Sequence, residues 1–125
     1  MSRTATTLLA GMSLALLVWG CSGGRAPTAR EEMARISRQR EWAMVYYQSF
    51  QRGQNARYLA LSRATLHGAI QQYFDLQVRL GHDYPDFYTV DRQRVQSCRF
   101  LHELDREAAR LNLPDWDASR EGCLK

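Results

Sequence analysis

Residues 56–81, ARYLALSRATLHGAIQQYFDLQVRLG, decide the fold. Tyr58, Leu59, Leu66, Ala69, Tyr73, Leu76 and Leu80 recur at helical steps, which puts apolar side chains on one face. Leu61, Ile70 and Phe74 widen that face. A wide apolar arc suits a helix that touches two neighbours rather than one. Asn55 stands just before the stretch, where its side-chain oxygen can accept an orphan amide of the first turn. Gly81 is placed to end it. The stretch therefore reads as the long middle helix of a helical domain, and the rest of the chain is read against it.

Upstream, Thr28-Ala29-Arg30-Glu31 has the pattern of a capping box. It opens a first helix expected to run to about Arg52 and to stop at Gly53. Met33, Ile36, Ala43, Tyr47 and Phe50 share one face of it, interrupted by Arg40. Gly53-Gln54-Asn55 leaves room only for a tight turn, so the first two helices form an antiparallel hairpin. Downstream, residues 82–89 are rich in aromatics, and Pro85 disfavours helix at Tyr84. Asp86 or Thr89 can cap a third helix with Val95, Cys98, Leu101, Leu104, Ala108 and Leu111 as its buried stripe. Asn112-Leu113-Pro114-Asp115 breaks that helix, and a last turn or short helix over residues 115–121 carries Trp116 toward Cys123. The chain has no β-alternating run flanked by hairpin dipeptides, no internal repeat and no low-complexity tract. The expected class is all-α: a three-helix antiparallel bundle with a short C-terminal helix or turn fastened by a disulfide.

The N-terminus is of another kind. Residues 1–7 carry Arg3 and no acid, and residues 8–20 are an apolar run of 13 residues. A membrane-crossing helix needs about 20; the length and flanks are those of a secretory signal peptide. The end of the run, Leu17-Val18-Trp19-Gly20-Cys21, resembles the lipobox of bacterial lipoproteins, with Trp19 bulkier than the usual residue at a permissive position. The resemblance implies cleavage after Gly20 and acylation of Cys21. It also implies anchoring of the protein to a membrane of the cell envelope. Ser22, in place of the Asp that retains lipoproteins in the inner membrane, points to the outer membrane, facing the periplasm. The competing reading is an ordinary signal peptide with Cys21 in a disulfide. The organisation expected is a cleaved signal over residues 1–20, an acylated cysteine and linker over 21–27, and a helical domain over 28–125. Fully extended, residues 22–27 reach about 20 Å, so the domain sits close to the membrane.

The chain has 125 residues, with 17 basic and 13 acidic. Sixteen of the basic residues are arginine. Without Arg3 the mature part carries about +3, too little for a nucleic-acid footprint and enough for a weak attraction to anionic headgroups. If Cys21 takes lipid, Cys98 and Cys123 remain as an even pair in an oxidising compartment, where a disulfide is the expected fate. A zinc site lacks a nearby histidine partner, and a redox pair more often has the close Cys-x-x-Cys spacing.

The chain lacks the phosphate-binding glycine loops and the Gly-x-Ser-x-Gly elbow. His102-Glu103-Leu104-Asp105-Arg106 begins like a zinc-protease helix but has Arg106 where the second histidine must stand. His67 and His82 are isolated. No catalytic residue, metal or cofactor is assigned, and the protein is read as non-enzymatic. Two features suit a partner. On the first helix, Trp42 and Val45 lie off the Ile36/Ala43/Tyr47 face, with Arg38 one turn before Trp42. Such an apolar pair marks an interaction patch, unless Arg38 stacks on Trp42 or the tail covers it. In the second connection, Tyr84, Phe87 and Tyr88 could bind a glycan or small ligand, or simply cap the end of the bundle.

The leading expectation is thus a lipid-anchored interaction or assembly module that holds an envelope protein. It is similar, in architecture only, to the small helical pilotin lipoproteins. The second is a glycan- or small-ligand-binding lipoprotein of cell-wall metabolism that uses the aromatic loop.

Overall fold

In the computed structural model, the described residues are 26–114 and Cys123. The expected signal peptide, Cys21, most of the expected linker and Trp116 with its expected last turn lie outside the described residues. Three helices follow in order: α1 (Ala29–Gly53), α2 (Ala56–Leu80) and α3 (Phe87–Arg110). No strand occurs among the described residues. The all-α bundle is the fold.

Each boundary has a local cause. Thr28, in extended conformation, accepts a hydrogen bond from the Glu31 amide at 3.1 Å, which starts α1. Gly53 is the last helical residue, and Gln54 takes the left-handed conformation at φ 53°. The glycine was expected to do this, so the stop falls one residue later. Asn55 accepts from the Arg57 amide at 3.0 Å and starts α2 one residue on. α2 ends at Gly81, where φ is +77°, a value that glycine adopts without strain. Asp86 precedes α3 but makes no side-chain cap bond. At the far end Asn112 is left-handed at φ 57°. Its amide bonds the Ala109 carbonyl, and the Leu113 amide reaches back to Ala108 at 2.9 Å. This is a Schellman stop, and Leu113 closes it by packing against the core cluster that contains Ala108.

α2 is the middle element and packs along both neighbours. Its Leu59, Leu66, Ala69, Ile70, Tyr73 and Leu76 are buried. They meet Ile36, Ala43 and Phe50 of α1 and Val90, Leu101, Leu104 and Ala108 of α3 in two core clusters. The first and third helices meet through side chains: Tyr47 lies edge-on to Phe100 at 5.7 Å, and Arg40 donates to Gln93. Arg40, the break in the apolar face of α1, is thus the polar link to α3.

The helices are also registered by buried polar atoms. Ser62, fully buried, donates to the Ala43 carbonyl at 2.6 Å. Tyr73 Oη and Ser37 Oγ share a hydrogen bond at 2.8 Å. Gln39 donates to the Thr65 carbonyl and accepts from Gln72. Gly68 lets that Gln39 amide in: a Cβ there would stand 2.7 Å from Gln39 Nε2.

Two expectations about burial change. Leu61 and Phe74 do not extend the core of α2 but are exposed. Leu59 and Leu66 define the centre of the buried arc, and Leu61 lies about 150° from it at 100° per residue. On α3 the buried stripe is Val90, Ser97, Leu101, Leu104 and Ala108, while Val95 is half-buried and Leu111 exposed. The polar Ser97 hid this register in the sequence; its hydroxyl is satisfied by the Gln93 carbonyl at 2.8 Å.

Cys98 and Cys123 form a disulfide, with Cα atoms 5.6 Å apart. Both pack on the larger core cluster. Arg63, nearly buried, bonds Asp105 at 3.1 Å and the Pro114 carbonyl at 3.2 Å. These contacts pin the chain leaving α3 to the α2/α3 side of the bundle.

Candidate interaction surface

The patch on α1 is where the sequence placed it, and it is larger. Trp42 is 58% exposed and Val45 46%. Arg38 is exposed one turn earlier. Trp42 does not stack on Arg38; its ring neighbour is Tyr46, one turn on, at 6.1 Å between centroids. The tail that could cover it lies, apart from Cys123, outside the described residues. Trp42 lies five residues before Tyr47, the side chain that faces α3, hence about 140° around α1 from it.

α2 completes the patch. The Ser62–Ala43 bond fixes the crossing point, so Leu61 and Trp42 sit beside it on adjacent helices. Leu61 and Tyr58 are exposed next to that crossing, with Tyr58 one turn closer to the α1–α2 turn. An open depression of about 350 Å³ lies there, lined by Asn55, Arg57, Tyr58 and Leu61. The surface is therefore a two-helix face carrying Trp42, Val45, Tyr46, Tyr58 and Leu61, with Arg38 and Arg57 exposed beside it. Tyr46, Tyr58 and Leu61 were not read as surface. The register of Leu61 off the Leu59/Leu66 line was the signal that could have found it.

The aromatic connection lies at the opposite end of α2. Phe87 opens α3 and is half-buried, stacked on His82 at 4.5 Å and edge-on to Tyr88 at 5.4 Å. Tyr84 and Tyr88 are exposed, Tyr88 to 64%. The loop is closed by short backbone bonds, from the Tyr84 amide to Gly81 and from the Phe87 amide to Tyr84. Phe87 is thus held in the structure while the two tyrosines remain available.

Several charged groups hold helices together. Asp91 accepts from Gln77 and Arg94, and Gln77 also accepts from Arg94. The Gln77 amide first, and the Arg94 guanidinium next, hold the Asp91 carboxyl below the ordinary carboxylate range. Arg79 pairs with Glu32 at 2.7 Å across the α1/α2 face, and that hydrogen bond raises its pKa. Among the described residues no three His, Cys, Asp or Glu side chains converge as metal ligands. None of the described helices is long and apolar enough to cross a membrane.

Compared with known protein families, curated proteins and solved structures, the chain matches none. The functional reading therefore rests on residues and geometry.

Proposed function

We propose that the protein is a lipid-anchored, non-enzymatic module of the bacterial envelope that holds a partner protein through the α1/α2 face. The supporting observation is the apolar surface of Trp42, Val45, Tyr58 and Leu61, which stays exposed while the core is complete without it. Grouped exposed apolar side chains on a small monomer are characteristic of interaction sites, and Trp and Tyr are the residues that anchor such interfaces. The Cys21 lipobox supplies the tether and the outer-membrane, periplasm-facing location; two or three acyl chains make such an anchor stable.

The test is crosslinking in the native envelope followed by recovery of the lipoprotein. One stoichiometric envelope protein is expected, lost on Trp42→Ala and on Leu61→Ala. Recovery of lipid and cell-wall fragments alone refutes the reading. The anchor is tested by Cys21→Ser, which should release the protein or leave an unprocessed precursor; acylated mature protein persisting in that variant refutes the lipobox.

A second reading draws on the half-buried Phe87, stacked on His82, and the exposed Tyr84 and Tyr88: a glycan-binding loop. Titration with soluble peptidoglycan fragments should then quench tyrosine fluorescence in the parent and not in Tyr84→Ala/Tyr88→Ala. An unquenched parent removes it.

A further inference from the structure

Arg92, Arg99 and Arg106 stand seven residues apart on α3. A straight helix drifts about 20° per heptad, so the three side chains leave α3 within about 40° of one another. They span about 21 Å of its length. All three are exposed, and among the described residues none forms an ion pair. Three of the acids near them in sequence are taken: Asp91 by Gln77 and Arg94, Asp105 by Arg63, and Glu107 by Arg110. Glu103, exposed four residues after Arg99 and three before Arg106, stands within the row and offsets one of its three charges. Arg99 lies nearly opposite the buried Leu101 and Val90, so the row faces straight out of the bundle. Tyr88, one turn before Arg92, continues it at the N-terminal end.

We propose that this row is a second, separate surface, and that it lies on the phosphate headgroups of the anionic membrane carrying the anchor. The inference rests on the lipid-anchored reading above. Guanidinium groups match phosphate oxygens with paired donors, and a tyrosine ring sits well at headgroup level. A straight, outward line of charge suits a flat anionic surface.

The topology brings the anchor to it. The Arg79–Glu32 pair places the start of α1 beside the end of α2, and α3 begins a few residues further on. The tether before Thr28 and the Tyr88 end of the row therefore leave the same end of the bundle. Docked on this row, the molecule turns the α1/α2 face, with Trp42, away from the bilayer.

The test uses the acylated protein reconstituted into vesicles, with a polarity-sensitive fluorophore on Gln96→Cys, an exposed position between Arg92 and Arg99. On vesicles containing phosphatidylglycerol the emission should shift to the blue relative to phosphatidylcholine vesicles, and high salt should reverse the shift. Replacing all three arginines by glutamine should weaken docking by a factor on the order of 100, from about fivefold per arginine near an anionic surface. The same fluorophore on Val45→Cys should report water on both vesicles. Equal emission of the Gln96 probe on both vesicles overturns the proposal. So does a shift that survives the triple replacement, or one that appears only on adding an acidic protein. Failure of the lipid-anchor reading shows itself separately, as protein that lacks the acyl mass and does not incorporate. The labelled protein added to vesicles from solution then reads the arginine row without the tether.

Discussion

Replacing Cys123 by serine should lower stability by roughly 2–3.5 kcal/mol. The bond closes a loop of 25 residues, and restricting such a loop in the unfolded chain contributes about 3.5 kcal/mol by the chain-entropy relation. That figure is a ceiling for this protein. Leu113 is already packed on the core and the Pro114 carbonyl is already bound by Arg63, so without the disulfide only the chain beyond Pro114 regains freedom in the folded state. That freedom offsets part of the loss. For a domain of this size the melting temperature should fall by at least about 8 °C. The assay is thermal unfolding followed by helical circular dichroism, with and without reductant. Reductant should bring the parent down to the variant and leave the variant where it was. A variant melting within about 2 °C of the oxidised parent refutes the argument, as does finding both thiols free in protein purified without reductant. In that event the contacts of Leu113 and Pro114 alone would hold the chain leaving α3.

Further outcomes follow from the core and its polar links. Leu66→Ala removes a fully buried side chain that meets both neighbouring helices and should cost about 2–5 kcal/mol in urea unfolding. Tyr73→Phe keeps the ring and deletes the bond to Ser37, so about 1 kcal/mol should be lost by the same measurement. Gly68→Ala should gain less than the usual 1 kcal/mol of helix propensity, because the methyl displaces Gln39 from Thr65 and Gln72; in a Gln39→Ala background the full gain should appear. The depressed pKa of Asp91 makes its contribution present above the unfolded value and lost as pH falls through the lower folded value. Asp91→Asn should therefore destabilise at pH 7 and make little difference near pH 2.

The bundle was legible because the amphipathic periods of α1 and α2 are long and their caps are explicit. Thr28, Asn55 and Gly81 act at the ends assigned to them. The cysteine pairing followed from counting once Cys21 was set aside. Two kinds of error remained, each with a physical cause. A serine can fill a core position when its hydroxyl bonds its own helix, as Ser97 does. Hydrophobicity therefore misplaced the α3 stripe toward Val95 and Leu111. An apolar residue can also lie on the surface, as Leu61 does; counting it into a wide arc overlooked that its register falls nearly opposite the Leu59/Leu66 line. The candidate surface was half legible for that reason. Trp42 and Val45 lay clearly off their face, whereas Tyr58 and Leu61 joined them only through the crossing of two helices. The arginine row was written plainly in the spacing of Arg92, Arg99 and Arg106. It gained meaning only when Asp91, Asp105 and Glu107, three of their four potential acidic partners, proved to be bound elsewhere.

The middle position of α2 bears on how the molecule assembles in time. Each long helix packs chiefly on the one next to it in the chain, so the defining contacts join residues close in sequence. Helical topologies of that kind fold in microseconds to milliseconds, whereas thiol oxidation takes seconds to hours. The three helices should be packed long before Cys98 meets Cys123. The covalent bond then locks a shape already reached instead of guiding the search for it, and a chain kept reduced should still find the same helical core.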